Sequence, residues 1–253
     1  MFKLGGKVAL VTGSTRGIGK AIAEQMADAG AKVVISSRKG DICEKVAAEF
    51  SARGQEALAL PCNVGRKEEV TSLVGRVLDR WGGIDVLVCN AATNPHFGPL
   101  LEASDDVFDK IMLTNVKSVM WLANMVLPQM AQRGGGAMII ISSIGALRGS
   151  THLGLYGTSK AAEAALCRAL ACEWGPRNIR VNCIAPGLIR TDFARALWEN
   201  DERRKAREAA TPLRRIGEPA DIGGVAVFLA SQAGSYVTGQ MIVADGGGTI
   251  AGG

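Results

Sequence analysis

This sequence predicts an α/β fold: one doubly wound parallel sheet of about seven strands with helices on both faces. Three observations lead there. Short apolar runs of strand length alternate with amphipathic helical patterns along almost the whole chain. The first apolar run passes through a glycine-rich turn directly into a helical pattern. No linker, repeat or low-complexity segment divides the 253 residues, so 1–253 reads as a single domain.

The first strand is expected over Lys7 to Thr12, followed by the turn Gly13-Ser14-Thr15-Arg16-Gly17-Ile18-Gly19 and a helix from Lys20 to Asp28. Glycines allow positive φ and close approach of a ligand to the backbone, while free N–H groups at a helix start favour phosphate. A tight strand-to-helix turn without a ligand has the same form. The second strand, Lys32 to Arg38, completes a βαβ unit whose end would face an adenosine ribose in a dinucleotide fold. An acidic residue there would bind a 2′-hydroxyl, but Ser36, Ser37 and Arg38 occupy the place, with Arg16 as a second cation in the turn. Arginine forks suit a 2′-phosphate, which points to NADP(H); two solvated arginines are the alternative.

Alternation continues with a helix over Asp41 to Arg53, a strand over Ala57 to Pro61, a helix over Lys67 to Arg80 and a strand over Ile84 to Cys89. Asn90-Ala91-Ala92 follows, small enough for a flat ring to lie against the backbone. One long helix is expected from Asp105 to Met130, capped by Ser104, with Asn115 in its middle. Asparagine is disfavoured inside a helix, which hints at a role or a kink. A strand over Ala137 to Ile141 delivers Ser142 and Ser143 to the carboxyl edge of the sheet, where open α/β sheets bind ligands. A helix over Leu155 to Trp174, a strand over Ile179 to Ile184 ending in Ala185-Pro186-Gly187, a Pro219-initiated helix to Ala230 and a strand over Gln240 to Ala244 complete the pattern. Residues 190–212 break it. Their charged run Asn200 to Glu208 reads as a solvated helix face, and its place after a sheet edge suits a substrate lid.

Tyr156 and Lys160 are four apart at the start of the Leu155 helix, so both project from one face. A nearby ammonium stabilises phenolate, which would let a phenol exchange protons near neutral pH. Alone, Tyr-x-x-x-Lys is a weak signal; its weight comes from the partners around it.

Composition narrows the class further. With 47% apolar and 21% charged residues the chain can bury a substantial core, and its net charge of +5 is interspersed, so neither a nucleic-acid surface nor a membrane partner is expected. Six cysteines in or beside apolar runs without Cys-x-x-Cys spacing read as reduced core residues, and two histidines give a zinc site little to draw on. The N-terminus lacks the pattern of a secretory signal and the C-terminal Thr249 to Gly253 matches no retention or peroxisomal address, so a cytoplasmic location is expected.

Together these residues resemble the short-chain dehydrogenase/reductase family over essentially the whole chain. Thr12-Gly13-x-x-x-Gly17-x-Gly19, Asn90-Ala91, Asn115, Ser143, Tyr156-x-x-x-Lys160, Pro186-Gly187 and Asp245-Gly246 stand in the family's order and spacing. The resemblance implies a single Rossmann-fold catalytic domain that binds NADP(H). It also implies roles. Tyr156 would pass a proton to a carbonyl oxygen as hydride reaches its carbon. Lys160 would lower the tyrosine pKa and bind the nicotinamide ribose. Ser143 would hydrogen-bond the substrate oxygen, and Asn115 would hold a water of a proton relay. Ile189 and Thr191 match positions that bind the carboxamide, and Asn63 with Val64 falls where the adenine is approached, with Asn63 in place of a common aspartate.

Asn90 to Pro95, Ser36 to Lys39 and Pro176 to Asn182 look most like the NADP-dependent retinol dehydrogenase/carbonyl reductase branch, although its peroxisomal address is absent. The expected function is therefore a carbonyl reductase acting on ketones or aldehydes, or on secondary alcohols in reverse. A 3-oxoacyl-[acyl-carrier-protein] reductase, with Arg133 and Arg177 as a basic patch by the cleft, is the alternative within enzymes; a regulator that binds cofactor without catalysis is a remote one. The resemblance further suggests a homotetramer or homodimer formed through the Asp105 and Leu155 helices.

Overall fold

The computed structural model describes residues 1–251, so Gly252 and Gly253 of the C-terminal stretch scanned for an address lie outside it. In chain order the elements are β1 Val8–Thr12, α1 Gly17–Asp28, β2 Lys32–Ser36, α2 Gly40–Ser51, β3 Ala57–Ala59, α3 Lys67–Trp81 and β4 Val86–Cys89. There follow α4 Asp105–Met112, α5 Ser118–Gln132, β5 Gly136–Ile141, α6 Gly154–Trp174, β6 Ile179–Pro186, α7 Arg195–Trp198, α8 Asp201–Ala210, α9 Pro219–Ala230 and β7 Met241–Ala244.

The strands form one sheet in the order β3-β2-β1-β4-β5-β6-β7, with every neighbouring pair parallel. Side chains alternate across a strand, so Leu10 of β1 joins the layer under α3, α5 and α6, whereas Ala9 and Val11 join the layer under α1, α2 and α9. All of β1 and β4 is buried because helices cover both faces, which is why these strands read as continuous apolar runs. Each leucine or isoleucine sealed there contributes about 1.5–3 kcal/mol relative to exposure. β7 is an edge and leaves Val243 39% exposed. No helix among the described residues is long and apolar enough to cross a membrane.

Three differences from the sequence expectation have physical causes. The first helix begins at Gly17 rather than Lys20, so the end of the glycine turn is already its first turn. The long helix expected over Asp105 to Met130 is broken by a π-turn at Leu113–Lys117, which carries Asn115. Contacts of the Asn115 side chain to the loop after β4 and to α6 offset the poor local propensity and hold this irregular turn. Five cysteines are buried as expected, but Cys172 is exposed because it lies on the outer face of α6.

The switch in strand order lies between β1 and β4, where β2 and β3 run off to one side and β5 to β7 to the other. Crevices of this kind, at the carboxyl ends of the strands, are where open α/β sheets take ligands.

Candidate active site

The glycine turn follows β1 at this crevice and is fixed from within. Thr12, 1% exposed, donates its hydroxyl to the Val88 carbonyl (3.3 Å) and accepts from the Asn90 and Ala91 backbone N–H groups (3.1 and 3.2 Å). Asn90 donates Nδ2 to the carbonyls of Thr12 and Gly13 (2.9 and 3.1 Å), stapling the end of β4 to the turn. Ser14 is turned inward: its hydroxyl donates to Val11 O (2.7 Å) and accepts from Ser36 N (2.9 Å), so it shapes the turn rather than opening to the cleft. Gly13 has φ +67°, and a Cβ on Gly19 would lie 2.3 Å from the Gly13 carbonyl oxygen, so any side chain there would force the turn apart.

These features fit a dinucleotide phosphate bridge. The N-cap Arg16 makes no side-chain cap to α1 and no acidic residue lies in the first turn, so the helix start presents uncapped N–H groups and its positive end without a competing carboxylate. Thr15 and Ile18 are half-buried along the turn, and Ile18 packs on the α1 side of the core. Ser37 is half-buried and Arg38 exposed just beyond β2. Arg16 reaches Asp192 (3.5 Å), tying the turn to the 190–212 segment.

Farther along the edge, Asn63 accepts from Gly65 N through Oδ1 (3.1 Å), leaving its Nδ2 as the free end, while the Val64 side chain is buried in the core. Pro186 ends β6, and a Cβ on Gly187 would meet Asp245 at 2.8 Å, which accounts for a glycine there. Ile189 is 4% exposed, and the methyl of Thr191 would lie 3.1 Å from a Cβ on Gly17, so the segment after β6 closes against the turn after β1.

The acid/base residues converge on the same edge. Lys160 is 2% exposed, with Nζ 5.5 Å from the centre of the Tyr156 ring, donating to Ile141 O (2.9 Å) and to Glu163 Oε1 (2.8 Å). Ser143, just beyond β5, accepts from Gly145 N (3.0 Å) and lies within hydrogen-bond reach of the tyrosine. Asn115 is fully buried; Oδ1 accepts from Thr93 N (2.9 Å), and Nδ2 donates to Thr93 O (3.1 Å) and Ser159 Oγ (3.0 Å). Ser159 in turn donates to the Tyr156 carbonyl (2.7 Å), so Asn115 braces the first turn of α6.

Lys160 acts on the phenol in the direction that the sequence suggested, but burial outweighs it. Burial raises the phenol pKa above the usual 10, Lys160 lowers it, Glu163 raises it, and a hydrogen bond donated by Ser143 lowers it, with the upward causes prevailing. Burial works to lower the Lys160 pKa, but Glu163 and Tyr156 together hold it above 10.5, so the ammonium stays charged.

Two residues at this site escaped the sequence reading. Glu163, 2% exposed, lies on the buried face of α6 three residues after Lys160; a charge on an otherwise apolar stripe was its available signal. Phe193, from the 190–212 segment, brings its ring centre to 6.1 Å from that of Tyr156, and nothing in the sequence spacing links the two. Arg133 and Arg177, expected by the cleft, lie at the opposite edge. Arg133 bonds Gly82 O and pairs with Asp85 ahead of β4, and Arg177 precedes β6, so both sit at the amino ends of parallel strands whose carboxyl ends carry the site.

Known proteins agree with this architecture. A family model described as enoyl-(acyl carrier protein) reductase matches residues 13–249. The human protein named dehydrogenase/reductase SDR family member 4 is 44% identical over 244 residues, covering 96% of this chain and 88% of its own. A gluconate 5-dehydrogenase from Burkholderia cenocepacia, solved with NADP and tartrate, superposes with a TM-score of 0.95 at 33% identity, covering 99% of this chain and 98% of its own. A 7α-hydroxysteroid dehydrogenase complexed with NADH and 7-oxo glycochenodeoxycholic acid gives 0.93 at 37% identity over 98% of this chain and 96% of its own. The fold and these matches define an oxidoreductase acting on CH–OH/C=O groups. The chain belongs to the short-chain dehydrogenase/reductase family.

Proposed function

We propose that this protein is an NADPH-dependent carbonyl reductase, acting on ketones or aldehydes and on secondary alcohols in reverse. The observation that carries the reading is the convergence of Asn115, Ser143, Tyr156 and Lys160 on the carboxyl edge beside the glycine turn. Bound in the crevice, the nicotinamide would supply or take up the hydride. The turn Gly13 to Gly19 would hold the phosphates, Ser37 and Arg38 the 2′-phosphate, and Asn63 and Val64 the adenine side. Asn90 and Ala91, with Pro186, Gly187, Ile189 and Thr191, would hold the nicotinamide end. Tyr156 would donate its proton to the carbonyl oxygen, and a phenol kept protonated by burial suits that direction. Ser143 would hydrogen-bond the same oxygen as charge grows on it. Lys160 would bind the ribose and Asn115 would hold the α6 start in register.

Residues 190–212 would form one wall over the substrate, supported by Phe193 beside Tyr156 and by the Trp198 indole donating to Thr191 O (2.9 Å). A spectrophotometric panel of ketones, aldehydes and alcohols with both cofactors tests the reading, and no turnover of any carbonyl would overturn it. One observation favours keeping an acyl-carrier 3-oxo ester in that panel: a cavity of about 870 Å³ beside Ile144 and Gly187 is rimmed by Arg148, Arg207 and Arg214, cations that an acidic carrier could meet.

NADP(H) rests on Arg38, which offers charge-assisted contacts where an acidic residue would repel a phosphate. Arg38→Asp should weaken NADPH binding by roughly 10- to 100-fold and leave NADH binding nearly unchanged, measured by isothermal titration. Tighter binding of NAD than NADP by the unaltered protein would contradict this. A dimer or tetramer through α4 and α6 is part of the same reading, supported by Phe108 of α4 at 46% exposure. Light scattering should give a mass of at least two chains; a monomer would rule the assembly out.

A further inference from the structure

We propose that Glu163 is a positioning residue of the acid/base site: ionised, it anchors the Lys160 ammonium and offsets the positive field that Lys160 exerts on Tyr156. The inference rests on the reading of Tyr156 as the acid.

The geometry is specific. Lys160 Nζ has three donors, and two are fixed, one on Ile141 O at 2.9 Å and one on Glu163 Oε1 at 2.8 Å. Both side chains of the pair are only 2% exposed, and Glu163 Oε2 is buried with no hydrogen-bond partner. A carboxylate in such a place loses more hydration than a helix salt bridge returns. Its net effect must therefore be sought in what it does to its neighbours.

Those neighbours are few. Lys160 and Tyr156 face Glu163 on its own helix α6, Cys89 at the end of β4, Cys183 from β6, and Ser142 just after β5. Ser142 spends its proton on Lys160 O (2.9 Å). Burial pushes the Cys89 thiol far up, and a hydrogen bond with Cys167 together with burial does the same for Cys183, so both stay neutral. Glu163, Lys160 and Tyr156 are thus left as one coupled set, of which Glu163 is the member that changes charge nearest neutral pH. Burial, opposed by Lys160, raises the Glu163 carboxyl to about 7. Below that pH Glu163 is neutral and Lys160 acts on the phenol with its full charge. Above it the carboxylate cancels part of that charge and keeps the phenol protonated.

The test uses the full chain and needs no turnover. The protein has two tyrosines, and Tyr236 is fully exposed on the surface, so Tyr236→Phe leaves Tyr156 as the sole source of the near-ultraviolet tyrosinate band. In that background Glu163→Gln should lower the tyrosinate midpoint by about one pH unit, and Glu163→Asp, which keeps the charge, should restore most of it. The rising limb of alcohol oxidation, where the phenol must lose its proton to act as base, should move to lower pH by the same amount in Glu163→Gln. An unchanged or raised midpoint would overturn the inference; if the amide variant does not fold, Glu163→Met removes the same charge and is read in the same way. Because the absorbance titration reports without substrate, a failed carbonyl panel would sink the proposed function alone, and an unmoved midpoint beside normal turnover would sink the role of Glu163 alone.

Discussion

Tyr156→Phe is expected to lower kcat by about 10²- to 10⁴-fold, the range lost when a positioned proton donor is removed. The loss should fall on kcat more than on cofactor affinity. The ring stays in place beside Phe193, and Lys160 keeps its bonds to Ile141 O and Glu163, so only the hydroxyl leaves the site. The Tyr156 main chain also keeps its role, since its carbonyl accepts from Ser159, which Asn115 holds. Steady-state kinetics alongside a binding titration separates the two quantities. Turnover within tenfold of the unaltered protein would show that the phenol is not the acid.

Lys160→Met should be as damaging to turnover and, unlike the tyrosine change, should also destabilise the fold. Removing one partner of a buried pair leaves an uncompensated charge and typically costs about 3–5 kcal/mol. The pH dependence identifies the cause. Glu163 ordinarily has a carboxyl pKa of 4.5, burial raises it to about 7 in the fold, and Lys160 is the main influence holding it down. Without the ammonium its folded value rises further. A group whose folded pKa is raised contributes stability that is fully present below its unfolded pKa and lost as pH rises through the folded one. The deficit of Lys160→Met against the unaltered protein should therefore be small near about pH 5 and grow toward about pH 8, read as urea midpoints. Adding Glu163→Met should recover much of the stability at the higher pH and none of the turnover. Equal deficits at both pH values would mean that lost packing, not the stranded carboxylate, is responsible.

Much of this molecule is legible without coordinates. The seven strands, their parallel pairing and the glycine turn follow from apolar runs bounded by turn residues, because strands covered on both faces must be apolar throughout. Asn115 was marked by its poor helix propensity, and its π-turn accounts for the mark. Tyr156 and Lys160 were paired by helical spacing alone. Element ends were less legible: β3 stops at Ala59 rather than Pro61, and β6 runs on to Pro186 instead of stopping at Ile184, since ladder bonding to neighbours, not composition, sets where a strand ends.

Contacts between residues distant in sequence were decided by tertiary structure. Arg16 and Asp192 belong to turns that meet only because β1 and β6 deliver them to one edge. Phe193 meets Tyr156 for the same reason. Arg133 and Arg177 lie at the amino ends of the strands, away from the site, and a charge pattern carries no information about which end of a parallel strand it will occupy. The direction of the Tyr156 shift was beyond the sequence as well. By itself the sequence determined that a cation would sit beside a phenol, because helical period fixes neighbours four apart. Only the packed structure determined that burial and Glu163 would outweigh that cation, because desolvation depends on everything that closes around a group and not on its neighbours in the chain.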